Sequence, residues 1–203
     1  MNQYTRVLHY NVGKRRETTW SLINDKGLKD FDVLAILEPY LYQDIDTGEP
    51  NPGTYRQWQA LVPTTQRKDG AVRHRYRSML WVNNAALARQ LPVNSYDITA
   101  AIVQVGQARM IIAAVYDANI RGSTGERNAN LLRKLELVQE AVTQARAEVG
   151  TETPVLICTD LNRHDAIWTG VQPIAARRHE GDLIIDFAQT LGLVLLLEPG
   201  TIT

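Results

Sequence analysis

Four apolar runs of strand length end on residues whose side chains carry oxygen. They are Val7–Asn11, Val33–Glu38, Val155–Asn162, and the run Met110–Val115 that leads into Tyr116. Buried strands can bring their ends together along one edge of a sheet, so that side chains far apart in sequence meet there. Carboxylate and amide oxygens, with no paired His or Cys, are ligands that suit Mg2+. The runs therefore predict a metal site and metal-assisted cleavage of a phosphate ester.

The composition limits the class of protein. The 203 residues are 44% hydrophobic and 22% charged, which is enough for one buried core, and we predict a single domain over residues 1–203. Lys plus Arg and Asp plus Glu balance at 22 each, so binding to nucleic acid would need a local basic patch. The single Cys158 excludes an internal disulfide, and no apolar run approaches the ~20 residues of a membrane span. With no apolar leader at its start, the chain is expected to be intracellular.

Strands and helices alternate along the chain. A short helix is expected at Glu17–Leu28, and a long loop rich in Asp, Gly and Pro follows the second strand through Gly53. Ala60–Val62 and Tyr76–Val82 predict a pair of antiparallel strands. A break in the apolar pattern of Tyr96–Tyr116 predicts a hairpin.

The clearest helical pattern follows Ser123, which forms a capping box with Glu126 in the sequence. Apolar residues then recur at steps of three and four as far as Val149. A shorter helix near Leu183–Leu191 and a last strand at Leu193–Leu197 complete the order. A strand-rich first half followed by helix, strand, helix and strand predicts two sheets packed between helices.

Five short motifs follow one another in a specific order along the chain, the fourth of which runs from Thr159 on to Gly170. They are Tyr10-Asn11-Val12, Leu37-Glu38-Pro39, Tyr116-Asp117-Ala118-Asn119, Thr159-Asp160-Leu161-Asn162-Arg163-His164 leading to Trp168-Thr169-Gly170, and Pro199-Gly200-Thr201. Together they resemble the endonuclease/exonuclease/phosphatase superfamily, and within it the endonuclease domains of non-LTR (LINE-like) retrotransposons. The resemblance implies a four-layer α/β sandwich, in which two mostly antiparallel sheets are flanked by helices.

The resemblance also implies roles for the matching residues. Glu38 would be the main ligand of Mg2+, or of Mn2+ as the alternative ion, and Asn11 would support the metal site. Tyr116 would contact the scissile phosphate, Asp160 would orient or activate the attacking water, and Asn162 would help to hold the transition-state oxygens. Phosphodiester cleavage needs a cation, a base for water and neutral donors around the phosphate, and these residues supply candidates for all three.

Part of the family pattern is missing from this sequence. Family members continue beyond the Pro-Gly-Thr segment into strands that carry an Asp and then a terminal Ser-Asp-His motif, whose His is central to catalysis. This sequence stops at Thr203, and none of its four histidines stands in a Ser-Asp-His context. We therefore expect a sandwich without its last strands and an active site without one acid/base group, a type of loss that lowers rates ~10²- to 10⁴-fold.

Further residues are candidates for contact with nucleic acid. Phosphate contacts come chiefly from Arg and Lys, and a basic cluster contains Arg73, Arg75 and Arg77. Asn119 and His164 belong to the matching motifs. Each has a plainer alternative, since the cluster is also typical of a solvated hairpin surface and His164 could cap a turn.

The other candidates have structural alternatives as well. Glu38 and Asn11 could be turn residues, Asp160 and Asn162 could form an Asx-turn or a helix cap, and Tyr116 could be a strand aromatic. The order of the motifs favours the functional interpretation.

We predict an Mg2+-dependent DNA endonuclease-like domain of retrotransposon origin, which hydrolyses a phosphodiester with a metal-positioned water. Two alternatives stay open: a catalytically inert relic that binds nucleic acid or a protein partner, and a phosphatase acting on a small phosphoester. DNA is the expected partner, and a polymerase domain encoded downstream would accompany the chain in its parent element. A retroelement nuclease would act in the nucleus, although the sequence has no clear basic import signal.

Overall fold

The computed structural model describes residues 4–43, 50–53, 55–65, 76–118, 122–174 and 179–200. Its strands are β1 (Val7–Asn11), β2 (Val33–Leu37), β3 (Tyr42–Gln43), β4 (Pro50–Asn51), β5 (Trp58–Leu61), β6 (Ser78–Asn83), β7 (Leu87–Leu91), β8 (Ile98–Val105), β9 (Ala108–Tyr116) and β10 (Val155–Asp160). Its helices are α1 (Arg16–Asn24), α2 (Thr124–Val149), α3 (Ala166–Thr169) and α4 (Asp182–Leu191), with a 3-10 turn at Lys26–Asp30. Among these described helices, none is long and apolar enough to cross a membrane.

The chain divides into two compact units. The first contains Met1–Tyr116 and Glu140–Asp160, and the second contains Asp117–Gln139 and Leu161–Thr203. Both four-stranded sheets lie in the first unit, with strand orders β1-β2-β6-β5 and β10-β9-β8-β7. In each sheet the first pair is parallel and the other two pairs are antiparallel. The two sheets therefore repeat one pairing pattern.

The two sheets pack against each other through their central strands. β2 contacts β9 and β10, while β6 contacts β8 and β9. All five residues of β2 are buried, which explains why its sequence is continuously apolar instead of alternating. On the first sheet, Leu22 and Ile23 of α1 pack against a core that includes Leu34 and Ile36. The fold is an α/β sandwich of two mixed, mostly antiparallel sheets with helices, as the sequence predicts.

Local side-chain chemistry sets the ends of several elements. The helix predicted at Glu17–Leu28 is divided, because the Asp25 carboxylate accepts a hydrogen bond from the Gly27 N–H at 2.8 Å and starts the 3-10 turn. The long Asp-, Gly- and Pro-rich loop contains the short antiparallel pair β3 and β4. The predicted strand pair is β5 and β6, and the predicted hairpin is β8 and β9, with Gly106 at a φ of 58° in its turn.

The capping box at the start of α2 is confirmed. Ser123 Oγ accepts from the Glu126 N–H at 3.3 Å, and Glu126 Oε2 accepts from the Ser123 N–H at 2.8 Å. The reciprocal bonds satisfy two backbone donors that a helix start would leave unpaired. The predicted apolar stripe of α2 is buried along Leu131, Leu135, Val138, Val142 and Ala145.

The strand predicted at Leu193–Leu197 is wrong. These residues form no strand, and Val194 and Leu196 are 79% and 73% exposed. α4 ends at Gly192, which adopts a left-handed φ of 66°. An apolar run becomes a strand only where a neighbouring strand offers it free backbone groups, and the described part of the second unit contains no strand. The single-domain organisation and the loss of final strands stay predictions.

Candidate functional site

Four of the predicted site residues lie at strand ends in the first unit. Asn11 ends β1, Glu38 follows β2, Tyr116 ends β9 and Asp160 ends β10. Asp160 pairs directly with Tyr116 in the parallel register of β10 and β9. The sequence suggests that such ends meet along one edge of a single sheet. They meet instead where the parallel pairs of two different sheets come together.

The Asn11 side chain connects the two acidic residues. Its Nδ2 donates to Asp160 Oδ2 at 2.7 Å and to Glu38 Oε2 at 3.4 Å. Its Oδ1 accepts from the Gly13 N–H at 2.9 Å, which fixes the orientation of the amide. One neutral amide thus holds two carboxylates from separate sheets. Its predicted role in supporting a metal site stays a prediction.

Glu38 is partly buried and carries a counter-ion. Its side chain is 17% exposed, and its Oε1 lies 2.9 Å from Lys14 Nζ. Burial acts to raise the pKa of Glu38, but the hydrogen bond and charge of Lys14, with hydrogen bonds from Tyr116 and Asn11, outweigh burial and lower that pKa. Glu38 is therefore a carboxylate at neutral pH, as a metal ligand must be.

Tyr116 is held as a neutral hydrogen-bond donor. Burial raises the pKa of Tyr116 to about 12, with further contributions from the charge and hydrogen bond of Glu38 and from the charge of Asp160. The phenol keeps its proton at neutral pH, so Tyr116 can donate to an anionic oxygen but cannot serve there as a base or an oxyanion nucleophile.

Arg77 supports Tyr116 from the neighbouring strand end. Its guanidinium carbon lies 5.6 Å from the centre of the Tyr116 ring, and its Nη2 donates to Asp97 Oδ2 at 2.8 Å. Its backbone carbonyl accepts from the Glu38 N–H at 2.9 Å. The structure thus gives Arg77 a place beside the site, and its predicted contact with nucleic acid stays a prediction.

His9 precedes Asn11 by two residues on β1, so the two side chains project from the same face of the strand. Desolvation lowers the pKa of His9, and the charge of Asp160 opposes that effect. His9 therefore interacts electrostatically with Asp160, the candidate base, although the sequence contains no Ser-Asp-His motif.

A cavity of about 350 Å³ opens beside these strand ends. Its lining includes Asn11 and Glu38, together with Arg15 and Thr18 from the start of α1. It brings cationic and hydroxyl donors next to the Glu38 carboxylate, an arrangement that suits an anionic group.

Asn162 lies in the second unit with a buried ionic cluster. Its Nδ2 donates to the backbone carbonyl of Asp117 at 2.7 Å, and its φ of 52° is left-handed. Asp117 is 1% exposed and lies 2.7 Å from Lys134 Nζ and 3.2 Å from Arg163 Nη2. Asn162 is thereby fixed to the residue that follows Tyr116 in the chain, and its predicted role toward the substrate stays a prediction.

The remaining candidates for contact with nucleic acid have no described contact with the site residues. His164 is exposed in the second unit. Arg73, Arg75 and Asn119 lie outside the described residues.

The sequence interpretation missed Lys14, Asp117 and Lys134. The position of Lys134 inside the apolar stripe of α2, beside Leu135, was a usable signal, because a lysine on a buried helix face needs an acidic partner. Lys14 gave no comparable signal, since a basic residue in a turn is common.

The donor chemistry fits a magnesium ion. Glu38 and Asp160 supply hard carboxylate oxygens, and Mg2+ commonly binds through one or two carboxylates while keeping several waters. Within the described ranges, no group of three or more His, Cys, Asp or Glu side chains is placed to hold a metal. The residues thus suit a cation shared with substrate and water better than a closed protein cage.

The chain has the fold of the endonuclease/exonuclease/phosphatase superfamily. The endonuclease domain of TRAS1, a telomere-specific non-LTR retrotransposon, matches with a TM-score of 0.65 and 18% identity, over 98% of this chain and 75% of that one. The AP endonuclease LMAP from Leishmania major matches with a TM-score of 0.62 and 12% identity, over 92% and 66%. D. rerio TDP2 complexed with single strand DNA product matches with a TM-score of 0.50 and 11% identity, over 96% and 67%. No protein-family profile and no curated protein matches the sequence.

Proposed function

We propose that this chain is an Mg2+-dependent phosphodiesterase that acts on DNA in the manner of a retrotransposon endonuclease. The observation that carries the proposal is the hydrogen bond of 2.7 Å between Asn11 and Asp160, made by an amide that also reaches Glu38 at 3.4 Å. It joins three polar residues from three strand ends, which a purely structural role does not require. The solved neighbours with endonuclease titles support the reaction class.

Each residue has a defined part in the proposed hydrolysis. Asp160 orients the attacking water and accepts its proton, while the Asn11 amide holds that carboxylate in place. Tyr116 donates its hydroxyl proton in a hydrogen bond to a phosphate oxygen. Glu38, supported by Asn11, would hold Mg2+, which when bound would offset the negative charge that develops on the phosphate. The water oxygen bonds to phosphorus as the bond to the leaving oxygen breaks, and the leaving oxygen takes a proton from solvent water.

DNA is the proposed substrate because phosphate groups match the donors beside the site. Arg15 and Thr18 line the cavity that contains Glu38, and the TDP2 neighbour was solved with a single-strand DNA product. We further expect the chain to act on nuclear DNA, with a polymerase domain of its parent element as partner.

A plasmid-nicking assay with purified protein tests the proposal. Supercoiled plasmid should be nicked with Mg2+ and left intact with EDTA. Glu38→Gln should reduce nicking to the buffer level, and Asp160→Asn should reduce it by ~10²- to 10⁴-fold. Glu152→Gln removes an exposed acid and is the matched control, whose activity should equal that of the wild type.

Two outcomes would favour the alternatives. Hydrolysis of p-nitrophenyl phosphate without nicking of plasmid would identify a phosphatase of small phosphoesters. Plasmid binding without nicking at any Mg2+ concentration would identify an inert nucleic-acid-binding domain. Equal nicking by the wild type and Glu38→Gln would contradict the assignment of the metal site.

A further inference from the structure

The ammonium group of Lys14 forms an ion pair with Glu38, the carboxylate that would bind the proposed metal. Its Nζ lies 2.9 Å from Glu38 Oε1, and the Lys14 and Glu38 side chains are 55% and 17% exposed. The other carboxylate oxygen, Oε2, receives the Asn11 amide at 3.4 Å. Both oxygens of Glu38 therefore have a protein partner, and one of those partners is a full positive charge.

The backbone holds Lys14 in this position. The Lys14 N–H donates to the Glu38 carbonyl at 2.7 Å. Lys14 and Glu38 both adopt left-handed backbone conformations, with φ of 59° and 47°, and Gly13 before Lys14 has a φ of 58°. Left-handed φ is uncommon for residues other than Gly, Asn, Asp and His, so two such residues facing each other need support from their surroundings. The ion pair and the backbone bond provide that support.

We propose that Lys14 is a built-in counter-ion of Glu38 that competes with the divalent metal, so that Lys14 sets the metal affinity of the site. The inference rests on the proposed function, because it takes Glu38 as a metal ligand. Asn11 holds the Glu38 and Asp160 carboxylates together, and Lys14 supplies positive charge beside them. A cation binding Glu38 must displace that ammonium, and the repulsion between two cations opposes its entry.

Metal binding in the absence of nucleic acid tests this directly. Mn2+ is the probe, and its dissociation constant is measured by isothermal titration calorimetry for the full chain at low ionic strength. Lys14→Met removes the charge and keeps much of the side-chain length, and should tighten Mn2+ binding by roughly 10-fold, given the strength of charge interactions at a partly exposed site. Lys14→Arg keeps the charge and should bind Mn2+ within about 3-fold of the wild type. Lys26→Met removes an exposed lysine elsewhere and should bind like the wild type.

The outcomes separate this proposal from the proposed function. If Glu38→Gln abolishes Mn2+ binding while Lys14→Met leaves the dissociation constant unchanged or raises it, the role of Lys14 is refuted and the metal site stands. If the wild type, Lys14→Met and Glu38→Gln all fail to bind Mn2+, the role of Lys14 is refuted, and the proposed function falls as well if the wild type also fails to nick plasmid with Mg2+. A lower half-saturating Mg2+ concentration for plasmid nicking by Lys14→Met provides a second supporting readout.

Discussion

Replacing Lys134 by Met should destabilise the folded chain by about 3 kcal/mol. Lys134 is 6% exposed, and its Nζ lies 2.7 Å from Oδ1 of Asp117, which is 1% exposed. Removing one partner of a buried ion pair costs about 3–5 kcal/mol, because the remaining charge stays buried without compensation. Asp117 keeps Arg163 at 3.2 Å and the Asn130 amide at 2.8 Å, so we expect the lower end of that range.

A double-mutant cycle separates charge from packing. Met preserves most of the lysine stem, so the loss should come from the Asp117 carboxylate, which no longer has the ammonium group as a partner. In an Asp117→Asn background that carboxylate is absent, and Lys134→Met should cost less there by about 1.5 kcal/mol or more. Equal costs in the two backgrounds would show that Lys134 acts through packing alone.

Urea unfolding followed by circular dichroism measures these differences. For a chain of this length, about 3 kcal/mol corresponds to a fall of roughly 6–12 °C in Tm. Hydrogen exchange of peptides from residues 122–139 and 161–174 should show the loss in the second unit. Lys26→Met, at an exposed position, should stay within about 0.5 kcal/mol of the wild type. A loss below about 1 kcal/mol for Lys134→Met would refute the reasoning.

Four further predictions concern single side chains. Tyr116→Phe should lower the rate of plasmid nicking by about 10²-fold through loss of a hydrogen-bond donor, with Mn2+ affinity preserved in calorimetry. Burial raises the pKa of Cys158 to about 12, so Ellman's reagent should leave the native thiol unmodified at pH 8 and modify it in urea. The folded-state pKa of Glu38 lies below its ordinary 4.5, so its charge stabilises the fold above about pH 4.5 and that contribution is lost as the pH falls through the folded pKa. Urea titrations should therefore show that the free energy of unfolding of the wild type, relative to that of Glu38→Gln, is higher at about pH 6 than at about pH 3. Ser123→Ala should cost about 1 kcal/mol in the same assay, because the capping box is lost.

The sequence predicts the parts of the fold that depend on local patterning. A continuous apolar run identifies β2, and the steps of three and four after Ser123 identify α2, because burial on two faces or on one stripe leaves a direct mark on residue order. The ends of the strands at Asn11, Tyr116 and Asp160 were predictable because the apolar runs stop there. The run Leu193–Leu197 shows the limit, since an apolar run alone does not say whether a neighbouring strand has free backbone groups to pair with.

The sequence did not predict which residues would contact the site residues. Lys14 reaches Glu38 only because a turn with two left-handed residues aims it there, and Arg77 stays beside Tyr116 because Asp97, 20 residues later, binds its guanidinium. These are tertiary relations without a periodic signature in the chain. Sequence motifs indicate candidate oxygens, whereas the charges around those oxygens depend on how the sheets pack.

The position of the site follows from the pairing pattern of the two sheets. Neighbouring antiparallel strands bring one carboxyl end and one amino end to each edge, whereas a parallel pair brings two carboxyl ends to the same edge. Each sheet here has one parallel pair, which delivers Asn11 and Glu38 from the first sheet and Tyr116 and Asp160 from the second. The hydrogen bond of 2.7 Å from Asn11 Nδ2 to Asp160 Oδ2 connects the two parallel strand pairs. Hydrogen-bonded strand pairs, each with one well-buried member (β2 or β9), therefore hold these four side chains in place. Exchanging one polar strand-end residue for a close isostere should then change the chemistry while leaving the sandwich folded.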